Sequence, residues 1–87
     1  MNITRVDIDR ISEEERQEKR ISDKVLGYAT IVLDYCFAVH DIKVMIGEKG
    51  PYLIFPADKV GKFIAYPIKE EVRQYILDTI IKEINNE

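Results

Sequence analysis

The chain groups its most reactive side chains near its middle, where Asp34, Cys36, His40 and Asp41 follow one another closely. A histidine beside a carboxylate is the pairing that orients an imidazole as a general base, and a nearby thiol is the natural nucleophile for it. Spacing argues against that chemistry. Adjacent residues of a strand point to opposite faces, which separates the His40 imidazole from the Asp41 carboxylate. Cys36 stands in an apolar run with Phe37 and reads as a packing residue. A metal site at His40 would need more ligands, and Asp34 is the only close candidate. His40, Asp41 and Asp34 are therefore read as structural, with His40 and Asp41 bridging backbone groups where two strands meet. No catalytic residue, metal ligand, cofactor or small-molecule substrate is assigned, and the chain is read as a non-enzyme. One cysteine builds neither an internal disulfide nor a thiolate zinc cluster, and Gly47-Glu48-Lys49-Gly50 is too short for a phosphate-binding loop.

A second constellation is basic. Lys59, Lys62, Lys69 and Arg73 bracket one loop and the start of a helix, where they are placed to hold phosphates with help from the helix N-terminus. Tyr66 stands between Lys62 and Lys69 as a platform on which a base could stack. The net charge of −3 gives no overall attraction to a polyanion, so such binding would have to be local.

The elements that must position these residues follow from the apolar pattern. With 87 residues, 46% of them hydrophobic and 33% charged, residues 1–87 are read as one small domain. Val6 and Ile8 alternate with Asp7 and Asp9, the period of a half-buried strand. Residues 12–24 read as a solvated tip between the first two strands, with a short helix as the second choice, because a polar helix with nothing to bury is marginal in water. Val25 to Phe37 reads as a central strand covered on both faces. His40-Asp41 interrupts the pattern before Ile42 to Ile46 resumes it. Gly47 and Gly50 signal a hairpin into Pro51 to Phe55, and Lys62 to Tyr66 is long enough for one more strand. Val72, Tyr75, Ile76, Thr79, Ile80 and Ile84 recur at helical spacing and define an amphipathic helix over 68–86. The expected architecture is α+β, an antiparallel meander of four to five strands closed by that helix. Leu77 and Ile81 fall outside its main stripe. A domain this small cannot engulf a helix, so these two residues predict a homodimer.

The stretch Ala29-Thr30-Ile31-Val32-Leu33-Asp34-Tyr35-Cys36-Phe37-Ala38-Val39-His40-Asp41-Ile42-Lys43-Val44 closely resembles the hallmark segment of the stage V sporulation protein G (SpoVG) family. The likeness continues through Gly50, Phe55-Pro56, Ala65-Tyr66-Pro67-Ile68 and Arg73, and covers nearly the whole chain. It implies antiparallel strands plus a C-terminal helix, dimerisation, and a bacterial regulator that binds DNA or RNA and influences septation, sporulation or gene expression. The chain departs from the family between Pro56 and Pro67, where a longer basic loop is reduced to Ala57-Asp58-Lys59-Val60-Gly61-Lys62. It also departs at the longer tip of mixed charge, Glu13 to Arg20.

Two functions are carried forward. One is a dimeric regulator that grips DNA or RNA through Lys59, Lys62, Lys69, Arg73 and Tyr66. The other is a dimeric module that contacts a division or regulatory protein without touching nucleic acid. The apolar runs are far shorter than the ~20 residues of a membrane span, and the first residues lack the pattern of a signal peptide. The expected location is cytoplasmic, away from membranes.

Overall fold

The computed structural model describes residues 2–86. Its elements are β1 (Ile3–Arg10), α1 (Glu13–Glu18), β2 (Val25–Leu33), β3 (Phe37–Gly47), β4 (Gly50–Ile54) and α2 (Glu70–Asn85). The strands form one four-stranded sheet in the order β1-β2-β3-β4, with each neighbouring pair antiparallel. The expected meander closed by a C-terminal helix is what the chain adopts.

Alternation along β2 shows how the layers meet. Val25, Gly27, Ala29 and Ile31 are buried while the residues between them are only half-buried. Ala29 and Ile31 join Ile42, Val44 and Leu53 from the sheet, Phe55 just beyond it, and Ile76, Ile80 and Ile84 from α2 in one core. Ile31, Ile42, Val44 and Ile80 are fully buried, each removing enough apolar surface to contribute about 1.5–3 kcal/mol. Two polar contacts fasten the helix to the first strand. The Ile3 N–H donates to the Tyr75 hydroxyl oxygen at 3.0 Å, and the Arg10 guanidinium donates to the Ile84 carbonyl at 3.4 Å, near the helix C-terminus.

Five expectations about elements are corrected. Val25 to Phe37 is a hairpin rather than one strand: the Cys36 N–H donates to the Leu33 carbonyl at 3.0 Å, and Asp34 and Tyr35 turn the chain at φ 50° and 60°. Asp tolerates that left-handed geometry through local hydrogen bonding, and two positive φ values give the twist that a tight hairpin needs. Next, His40-Asp41 does not interrupt pairing. Ile42 pairs with Ala29 and Val39 with Ile31, so His40 and Asp41 lie together opposite Thr30 in a β-bulge, with Asp41 at φ 62°.

The tip between β1 and β2 carries a helix, the reading ranked second. Ser12 caps α1 by accepting the Glu15 N–H at 3.1 Å. The Arg16 guanidinium, only 14% exposed, donates to the Ser22 and Val25 carbonyls. A polar helix persists here because its arginine satisfies the carbonyls of the returning chain. Finally, Lys62 to Tyr66 forms no strand beyond an isolated bridge between Ala57 and Phe63, and α2 begins at Glu70, two residues later than expected, because Lys69 is still extended at φ −96° and ψ 137°.

Candidate functional site

After β4 the chain passes through buried Phe55 into a tight hairpin. The Ile64 N–H donates to the Pro56 carbonyl, and the Asp58 N–H to the Lys62 carbonyl, both at 2.8 Å. Gly61, at φ 86°, makes the turn. Asp58 staples it, its Oδ1 accepting from the Val60 N–H at 3.0 Å and the Lys62 N–H at 2.9 Å. The result is a short ordered loop with Lys59 and Lys62 exposed on it. Beyond it the Phe63 and Tyr66 rings meet at 5.1 Å between centroids, tilted by 42°, a favourable aromatic separation. Both rings are partly open to solvent. Sequence reasoning singled out Tyr66 and passed over Phe63, whose position beside Lys62 in a Lys-aromatic pair was the available signal.

Lys69 is exposed at the position before α2, and Arg73 follows one turn later. Arg73 is already engaged. Its Nε lies 3.6 Å from Glu70 Oε2, and its guanidinium sits 5.8 Å above the Phe55 ring. The helix N-terminus, invoked as an aid to phosphate binding, carries Glu70 and Glu71 in its first turn. Those carboxylates already answer the positive end of the dipole and repel a second anion. Of the five residues expected to bind nucleic acid, Lys59, Lys62, Lys69 and Tyr66 thus remain presented to solvent, while Arg73 is partly spent inside the fold.

The central residues take other parts. Asp34 ties the β2–β3 turn to the start of β1, accepting the Asn2 N–H at 2.9 Å while its own N–H donates to the Asn2 carbonyl at 2.8 Å. Thr4 reinforces the joint by accepting the Tyr35 N–H at 3.0 Å. His40 Nδ1 lies 3.2 Å from the Thr30 hydroxyl, so its partner is a side chain rather than the backbone. Cys36 is exposed in the turn, not packed in a strand. Among the described residues no group of three His, Cys, Asp or Glu side chains stands close enough to hold a metal ion. Leu77 and Ile81 pack against the core of their own chain, so their apolar character does not by itself call for a partner.

A small antiparallel sheet backed by one helix, with a short ordered loop between β4 and α2, is thus the frame that carries these side chains. Comparison with known proteins places it. The SpoVG family model matches residues 1–86. A relative from Borrelia hermsii is 36% identical over 87 residues, covering 95% of this chain and 85% of the relative. One from Anaeromyxobacter sp. (strain K) is 34% identical, covering 100% and 81%, and one from Phytoplasma australiense is 38% identical, covering 93% and 80%. Each of these relatives bears the name SpoVG with a septation role assigned provisionally. This chain belongs to the SpoVG family.

Proposed function

We propose that this chain is a non-catalytic regulator acting in septation or sporulation, that it works as a dimer, and that it holds DNA or RNA along the loop between β4 and α2. The septation role follows from the names its relatives carry. The grip on nucleic acid rests on one observation: the Phe63–Tyr66 ring pair shares a solvent-facing segment with Lys59, Lys62 and Lys69. Aromatic faces accept bases by stacking, and flanking ammonium groups neutralise phosphates. Asp58 holds the hairpin in shape, so little order is lost when a ligand lands.

Fluorescence anisotropy with labelled single-stranded and duplex oligonucleotides tests this. Three neutralised phosphates per protomer predict a slope of log K against log salt of about −3 on duplex and about −2 on single strands. Replacing Lys59 and Lys62 by Glu together should weaken binding by at least about tenfold, since a contacting ammonium becomes a repelling carboxylate. No binding at low salt, or binding indifferent to salt and to the double substitution, would refute the reading. The second reading, a module for a division or regulatory protein, is favoured by the net charge of −3, which gives no overall attraction to a polyanion. The same double variant separates the two, because protein binding would survive it.

A further inference from the structure

The end of the molecule that holds the β2–β3 turn is unfinished. An apolar cavity of about 180 Å³ opens there between the sheet and the start of α2, with Leu33, Phe37, Val39, Phe55, Pro67 and Val72 among its walls and no charged residue lining it. It reaches core residues, since Phe55 also belongs to the buried cluster. Several large apolar side chains close in sequence to its walls are exposed: Tyr35 is 87% exposed, Phe37 61%, Ile64 72% and Ile68 90%. A folded domain does not usually leave so many large apolar side chains bare beside an open apolar cavity.

We propose that this end is the surface on which two copies of the chain pair about a twofold axis, with apolar rim residues of each copy, Ile68 foremost, seated at the open cavity of the other. The inference rests on the dimeric reading above and names the interface. Two arguments favour a second copy over a foreign partner. The same end carries both an open apolar cavity and a projecting apolar side chain, so the surface is complementary to itself, as a twofold contact requires. The area is also near what the smaller standard interfaces bury. With roughly 200 Å² for a fully exposed ring and somewhat less for an isoleucine, Tyr35, Phe37, Ile64 and Ile68 offer about 550–600 Å² per chain, against about 600–1,000 Å² per partner in standard interfaces. The absence of charge in the cavity lining means that a twofold brings no like charges together there. The outer face of α2 is a poorer candidate, because the groove around Leu77 and Ile81 is bordered by Gln74, Asp78, Lys82, Asn85 and Asn86.

Sedimentation velocity on the full chain between about 1 and 100 μM, concentrations that bracket interfaces of ordinary strength, tests the assignment. The natural sequence should sediment as a dimer. Ile68→Asp should raise the dissociation constant by at least about 100-fold, because a carboxylate would be desolvated without a partner, and its circular dichroism should match that of the natural chain. Tyr35→Asp, at a second exposed position, should do the same. Gln74→Arg with Asp78→Arg, on the outer face of α2, should leave the dimer intact. A natural chain that stays monomeric at 100 μM would overturn the dimeric reading itself. A natural dimer that survives both Ile68→Asp and Tyr35→Asp, or that only the helix pair dissociates, would overturn this interface while leaving dimerisation standing.

Discussion

Replacing Gly27 by Ala tests the packing of β1 on β2 at one point. An added Cβ would lie 2.5 Å from the Asp9 carbonyl oxygen and 3.1 Å from the Arg10 Cα. Both are backbone atoms, so no side-chain rotation relieves the contact. Restoring an ordinary separation requires β1 to move by about 0.5–1 Å, a shift that leaves ladder hydrogen bonds near or beyond their useful length. The Ile11 N–H to Leu26 carbonyl bond, at 3.2 Å, has least to spare. Losing one such bond costs about 0.5–1.5 kcal/mol, and overpacking adds about 1–3 kcal/mol. Restricting the unfolded chain returns about 0.4–1 kcal/mol. The net expectation is a loss of about 2 kcal/mol. With a urea dependence of about 1 kcal/mol/M for a domain of this size, the unfolding midpoint should fall by about 2 M. Hydrogen exchange should place the damage locally, with the Ile11 amide losing more protection than that of Val44. A midpoint change below about 0.5 M would show that β1 accommodates the methyl group freely and would refute the reasoning.

Two further outcomes follow from the turn and the tip. Asp34→Ala removes the acceptor for the Asn2 N–H and leaves a Cβ at φ 50° without local compensation, which should cost about 2 kcal/mol; Asp34→Gly keeps the backbone freedom and should cost about half as much, a difference of about 4–8 °C in thermal midpoint. Arg16→Ala leaves the Ser22 and Val25 carbonyls without their donor and should open residues 13–24 to proteolysis, whereas Ser12→Ala should cost about 1 kcal/mol through loss of the cap and have a smaller effect on cleavage.

The strands were legible wherever a period of two had one face to bury, as in Val6 and Ile8, and the long helix was legible from Ile76, Ile80 and Ile84. The β2–β3 turn was hidden because it has no glycine or proline: Asp34 and Tyr35 adopt positive φ in a stretch that otherwise reads as continuous strand. The α1 helix was underrated for a related reason. Its stability comes from Arg16 bonding to carbonyls on the other side of the tip, a contact that no local window contains. The loop cations were legible as candidates, but the sequence showed neither that Arg73 is partnered by Glu70 and Phe55 nor that Phe63 stands against Tyr66.

By itself, the sequence determined the family, the α+β class, and the pairing of a meander with one amphipathic helix. Those depend on residue type and on spacing along the chain, since burial of one face follows directly from period. The tertiary structure decided which apolar residues were surplus. Leu77 and Ile81, outside the helical stripe, rest on their own core, while Tyr35, Phe37 and Ile68 are left bare around an open cavity. Hydrophobicity is a property of the residue. Whether it is satisfied depends on which parts of the chain come together in space.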